Sequence, residues 1–168
     1  MSDLKVLEPF RQEVREFLEA DCPATMRGPA DPTGTMNWGG RQREFLQPEE
    51  DGERWMRTMA ERGWTVPTWP KKYGGGGLDA AHARVLAQEM ARVQAKPPLI
   101  NLGITMLGPT LLEYGSEEQK QEHLRAIVEG RIRWCQGYSE PGAGSDLASL
   151  QTRCEDEGDH FRINGQKI

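Results

Sequence analysis

Trp134-Cys135-Gln136-Gly137-Tyr138-Ser139-Glu140-Pro141-Gly142-Ala143-Gly144-Ser145-Asp146-Leu147-Ala148-Ser149 joins a strand-like run to a loop crowded with glycine, serine and proline. Glycine lets backbone N–H groups approach a bulky ligand with no Cβ in the way. Serine hydroxyls add donors, and a concave set of N–H groups makes a cradle for an anion. Such groups suit a phosphate-bearing cofactor. The same residue types also build ordinary turns, and spacing alone favours the turn.

Upstream of this loop the pattern is helical. Leu7, Phe10, Val14, Phe17 and Leu18 recur at helical spacing, which predicts an amphipathic helix over 3–20. Residues 21–47 lack apolar periodicity and contain Pro23, Pro29, Pro32, Gly28, Gly34, Gly39 and Gly40, which reads as a long surface loop. Pro48 and three acids open a second helix, which ends near Arg62 with Gly63 as its stop.

The glycines at 74–77 tempt a phosphate-loop reading. They have neither a following Gly-Lys-[Ser/Thr] nor a preceding β-run, so a tight turn into a helix capped by Asp79 is the expectation. That helix runs to about Gln94, with Val85, Leu86, Met90 and Val93 on one face. A further apolar helix over 99–114 is bent at Pro109. Ser116 and Gln119 form a capping box that opens the last helix, which ends near Gly130.

From Ile132 the period changes to two. Leu150, Thr152 and Cys154 alternate with polar neighbours, as do Phe161 and Ile163, and Asn164-Gly165 is a hairpin signal. The expected fold class is therefore α+β. A helical domain over 1–131 precedes the start of a β domain over 132–168.

The bulk properties exclude several function classes. Of the 168 residues, 21 are Lys or Arg and 26 are Asp or Glu, and the formal charge is −5. Scattered cations on an acidic chain argue against nucleic acid and anionic membrane as partners. No run nears the roughly 18 apolar residues of a membrane helix, and the N-terminus lacks a signal-peptide plan. A cytoplasmic protein is expected. Cys22, Cys135 and Cys154 are widely spaced and read as reduced, mostly buried thiols. His82, His123 and His160 stand alone, so no metal site is expected.

Four motifs carry a family resemblance. The loop 137–149 reads GYSEPGAGSDLAS, and Trp69-Pro70-Lys71-Lys72-Tyr73-Gly74-Gly75 fits a WP-x-x-YGG pattern. Tyr114-Gly115-Ser116-Glu117-Glu118-Gln119-Lys120 fits YG-[ST]-x-EQK, and Phe161-Arg162-Ile163-Asn164-Gly165-Gln166-Lys167 fits a hairpin motif containing NG-x-K. In this order they resemble the acyl-CoA dehydrogenase family, flavoenzymes that oxidise acyl-CoA thioesters. Members of that family are much longer, so the chain is expected to be the front part of a larger protein. The second domain is then the beginning of a β-barrel-like domain, and the isolated piece is expected to be inactive and poorly soluble.

The resemblance implies FAD as cofactor, with Gln136, Gly137, Tyr138, Ser139, Gly144 and Ser145 against it. Ser139 falls where the family places a hydroxyl at the flavin's pyrimidine edge, and Ser145 where the family also contacts acyl-CoA. Tyr138 and Gln136 depart from the pattern, which more often has an aliphatic residue at the first position and an aromatic at the second. Asp146 reads as a loop-bracing acceptor, and Glu140 is a poor candidate for a catalytic base. The implied reaction is α,β-dehydrogenation: a carboxylate removes the α-proton and the β-hydrogen leaves as hydride to the flavin.

The resemblance puts that base in a C-terminal region, so no catalytic residue is assigned within 1–168. Leu102, Met106 and Leu107 lie on the helix first suspected of walling the acyl pocket, although ordinary packing is the simpler reading. An electron-transferring flavoprotein is the implied acceptor, and the full-length protein is expected to be a homo-oligomer, a dimer or tetramer. Two alternatives remain: a flavin oxidase or monooxygenase of the same fold, and a non-catalytic helical module.

Overall fold

A computed structural model describes residues 2–29 and 36–168, with side chains from residue 7 onward. The chain divides into two compact units, Met1–Trp134 and Cys135–Ile168. The first is helical. Its helices are α1 (Ser2–Asp21), α2 (Glu49–Glu61), α3 (Ala80–Arg92), α4 (Gly108–Tyr114) and α5 (Glu117–Val128). The second contains one antiparallel pair, β1 (Arg153–Asp156) and β2 (Phe161–Asn164).

Local chemistry sets the helix ends. At the end of α2, Gly63 takes φ +70°. Its N–H reaches Ala60 O at 2.9 Å and the Trp64 N–H reaches Met59 O at 2.8 Å, so the orphan carbonyls are satisfied. Asp79 caps α3 by accepting from the His82 N–H at 2.9 Å. Ser116 and Gln119 exchange backbone and side-chain bonds at the start of α5.

The helix expected over 99–114 starts later. Pro97 and Pro98 keep the chain extended, and Asn101 caps the turn through Oδ1 to the Ile104 N–H at 3.2 Å. Gly103–Leu107 then form a π-turn leading into α4, with Pro109 in the first turn of α4. Pro109 has no N–H to give the preceding turn, and the wider turn also avoids its ring clash.

Two larger apolar clusters and a smaller one of Phe45, Met56 and Leu99 form the core among the described residues. Val14, Phe17 and Leu18 of α1 meet Trp55, Met59, Trp64 and Leu86, with Phe17 edge-on to Trp64 at 4.8 Å between centroids. Val66, Trp69, Tyr73, Leu111, Leu124 and Ile127 form the second cluster. Gly75 and Gly76 serve packing, since a Cβ on Gly75 would strike the Trp69 backbone and one on Gly76 would lie 2.8 Å from Pro67 O, whereas Gly74 serves the turn with φ +89°.

Three expectations are corrected. The stretch 21–47 is not simply a surface loop, although Pro32 and Gly34 lie outside the described residues. Met26, Asn37, Phe45 and Leu46 are buried. Asn37 donates to Pro98 O at 2.8 Å and to Gly52 O at 3.2 Å, and accepts from the Leu46 N–H. These contacts are long-range, so no local period announces them. Second, of the three cysteines only Cys22 is buried; Cys135 and Cys154 are exposed, the latter on a strand exposed along its whole length. Third, residues 132–139 form no strand, and the hairpin turns at Glu157–His160, with Glu157 N–H to His160 O at 3.0 Å. Asn164 instead pairs with Arg153, and Gly165 follows the strand.

One buried carboxylate ties α1 to α3. Glu89 is 2% exposed and accepts from Arg15 at 3.0 Å, Arg92 at 2.6 Å and Arg11 at 2.7 Å. The Arg15 bond, against the opposing effect of burial and with help from Arg92 and Arg11, holds its carboxyl at about 2. A depressed carboxyl contributes stability in full above its ordinary value near 4.5, and that contribution is lost as pH falls toward 2. Glu89→Gln should therefore lower neutral-pH stability by about 1–3 kcal/mol and flatten the acid limb of a melting-temperature profile. An unchanged acid limb would remove Glu89 from the account. Gly108→Ala should cost about 1–3 kcal/mol, because its Cβ would collide with the Trp69 ring; denaturant melts measure it.

Candidate functional site

The signature loop is organised by a turn and a carboxylate. Glu140 and Ala143 exchange backbone bonds at 2.8 and 3.0 Å around Pro141-Gly142, the residue types such a turn favours. This brings Ser139 and Gly144 to the two flanks of one bridged pair. Further on, Ser149 closes a single 3₁₀ turn on Asp146 O, by its hydroxyl at 2.9 Å.

Glu140 is 7% exposed. It accepts from the Gln151 N–H at 2.8 Å, the Thr152 N–H at 3.0 Å and Lys167 Nζ at 2.9 Å. Lys167 Nζ also reaches Tyr138 O at 3.1 Å, and the Ile168 N–H reaches Ser139 O at 3.0 Å. Hydrogen bonding from Thr152, then from the Gln151 amide and Lys167, holds the Glu140 carboxyl at about 2. Such a group is fully ionised at neutral pH and has donors on both oxygens. It is a poor proton acceptor.

The six residues singled out in the sequence share this loop. Ser139 is half-buried, while Gln136, Gly137, Tyr138, Gly144 and Ser145 are exposed. The backbone N–H groups of 136–139, Gly144 and Ser145 donate to no backbone acceptor among the described residues. Neither Gly142 nor Gly144 has a positive φ, and a Cβ on either would meet nothing within 4 Å. The chain's own packing therefore does not demand glycine at these positions. Free donors beside bare backbone are what a large phosphate-bearing cofactor such as FAD requires, so the residues present fit that group.

Two roles change. Asp146 braces the loop through its carbonyl, since its carboxylate caps nothing in the 3₁₀ turn. The bracing carboxylate is Glu140, which sequence reasoning weighed only as a base; Lys167 was missed as its partner. The available signal was an acid beside Pro-Gly and a lysine two residues after Asn164-Gly165.

A hollow of about 360 Å³ behind the turn, between Pro141-Gly142 and Gly165-Gln166, includes none of the six residues. The larger cleft of the helical unit, about 710 Å³, is lined by Arg43, Lys71, Arg125 and Arg131 among others. Leu102 and Leu107 are half-buried, and Met106, on the π-turn, is 41% exposed. Among the described residues no group of His, Cys, Asp and Glu could hold a metal ion, and no helix is long and apolar enough to cross a membrane.

Comparison with known proteins agrees with the motifs. The acyl-CoA dehydrogenase IpdE1 of Mycobacterium tuberculosis is 39% identical over 165 residues, covering 96% of this chain and 40% of that protein. A solved structure described as the Tcur3481-Tcur3483 steroid ACAD is 35% identical with a TM-score of 0.61, over 98% of this chain and 39% of its own. The ChsE4-ChsE5 complex from Mycobacterium tuberculosis follows at 34% and 0.58, over 96% and 37%. The chain thus spans about two fifths of the length of these relatives. A family profile described as "Acyl-CoA dehydrogenase, N-terminal domain" matches residues 6–131, and with the helical fold and the loop beyond it this chain belongs to the acyl-CoA dehydrogenase family.

Proposed function

We propose that this chain forms the N-terminal part of an FAD-dependent acyl-CoA dehydrogenase that introduces an α,β double bond into a CoA thioester. One observation carries the reading: Gly144 and Ser145 present unpaired N–H groups on backbone that has room for a side chain but carries none at Gly144. When bound, FAD supplies the ring that accepts a hydride. This chain's residues bind and orient. Ser139 offers a hydroxyl and an N–H to the ring edge, Gln136, Gly137 and Tyr138 line its face, and Gly144 and Ser145 approach the pyrophosphate. A preorganised donor at Ser139 favours negative charge developing beside it. Ser145 also contacts the acyl-CoA in this reading.

Neither carboxylate that is buried among the described residues is the base. Glu89 is held by three arginines and Glu140 by two amides and a lysine, each carboxyl at about 2. Electrons leave to an electron-transferring flavoprotein. A ring-bearing steroid acyl group is the substrate class favoured, supported by the 35% identity to the structure described as a steroid ACAD.

The protein carrying this sequence should bind FAD and turn yellow. Ser139→Ala should weaken FAD about tenfold, the equivalent of about 1.4 kcal/mol. Gly144→Val should weaken it by more, with stability unchanged to within about 0.5 kcal/mol. Fluorescence titration of FAD and thermal melts read both. Full FAD affinity in the Gly144→Val protein would refute the placement of the loop.

A further inference from the structure

We infer that the ion pair of the buried Glu140 with the exposed Lys167 is the positioning device of the cofactor loop, setting where Ser139 and Gly144 stand rather than taking part in the chemistry. The inference rests on the FAD reading above and extends it to two residues that touch no reacting atom.

Three stretches of chain, 138–140, 151–152 and 167–168, converge on this pair. Through its carboxylate, Glu140 holds the amides of Gln151 and Thr152. Lys167 Nζ bonds that carboxylate and the Tyr138 carbonyl together. The neighbouring Ile168 N–H bonds Ser139 O. The loop between 138 and 152 is thus anchored immediately before its turn and again after the 3₁₀ turn.

Little else could anchor it. Within 135–168 only Glu140 and Ala143 are buried, so apolar packing contributes almost nothing to the loop's geometry. Directional polar bonds remain. A buried carboxylate facing two N–H groups cannot be replaced by an amide without turning one N–H₂ toward a donor, which leaves that donor unsatisfied. Lys167 supplies the charge that balances the carboxylate, and its second bond holds the main chain at Tyr138, the residue before Ser139. Ser139 stands between the two bonds.

A positioning role makes a specific prediction about coupling. If Glu140 acts by placing Ser139, removing the Ser139 hydroxyl should matter only while Glu140 is intact. In the FAD-binding protein, Glu140→Gln should weaken FAD at least tenfold and Lys167→Met about three- to tenfold. The double variant should be no worse than Glu140→Gln by more than about twofold, because the two act as one unit. Ser139→Ala, costly alone, should cost less than about twofold in the Glu140→Gln background. The helical unit should keep its melting temperature throughout.

FAD affinity of Glu140→Gln within twofold of the parent would overturn the inference. An undiminished Ser139→Ala effect in that background would do the same. Should Glu140→Gln fail to fold, the same cycle with Lys167→Met, which removes a single partner, decides the matter by the same criteria. A parent protein that binds no FAD at all overturns the functional reading itself, and this inference with it. That outcome differs visibly from a parent that binds while its variants bind equally well.

Discussion

The edge of the Trp69 ring lies against the backbone of Gly108, and that contact leaves no room for a Cβ on the glycine. Much of the helical unit is arranged around this approach. Trp69 belongs to the second core cluster with Leu111, Leu124 and Ile127, so the indole fixes how near α4 and α5 can come. The same segment continues to Tyr73, whose hydroxyl bonds the Glu117 carboxylate at 2.8 Å at the start of α5. One motif thereby holds two helices. Its Pro70 and glycines let the chain turn back beneath the ring, and the π-turn at Gly103–Leu107 leads into α4 at the point of contact. A π-turn is seldom retained without a local reason. Here a ring against bare backbone and a proline without an N–H supply one.

Carboxylates in this chain act as rivets. Glu89 and Glu140 are both almost fully buried, and both are held ionised by donors that leave little room for a proton. They differ in what they join. Glu89 draws arginines from α1 and from its own helix, tying helices 74 to 78 residues apart in sequence. Glu140 draws main-chain amides and so fixes the path of a loop. A buried ion pair is weak evidence for net stability, since desolvation offsets much of the attraction. Its direction in space is its advantage, and a loop that must present donors at set positions has use for direction.

Features that depend on neighbouring residues were legible in the sequence. The caps at Asp79 and at Ser116 with Gln119, and the stop at Gly63, each close within one helical turn and appear as expected. Buried contacts between distant segments were not. Asn37 is polar and lies in a stretch with no period, yet it bonds residues as far away as Pro98. Glu89 sits four residues after Val85 on the apolar face of α3, a visible anomaly, but its partners on α1 cannot be read locally. Asn164-Gly165 misled for a similar reason. The dipeptide has turn chemistry, but the strand pair closes at Glu157–His160, and Gly165 is glycine where Thr152 leaves no room for a side chain. For the site, the loop's residue types were readable, while the exchange of roles between Asp146 and Glu140 needed the tertiary path.

The β1–β2 pair shows why the loop relies on polar bonds. Its register places Cys154 opposite Ile163 and Asp156 opposite Phe161 on one face, with Glu155 opposite Arg162 on the other. The alternation is regular, but the strands are exposed throughout, and two strands without a packed layer are marginal in water. Apolar contact is tolerant of small shifts, because it depends on area rather than angle. Hydrogen bonds to a fixed carboxylate weaken steeply once their geometry is lost. A loop with almost no buried apolar side chain gains more from the second kind of restraint. The fold supplies it at Glu140 while leaving Ser139, Gly144 and Ser145 free to donate elsewhere.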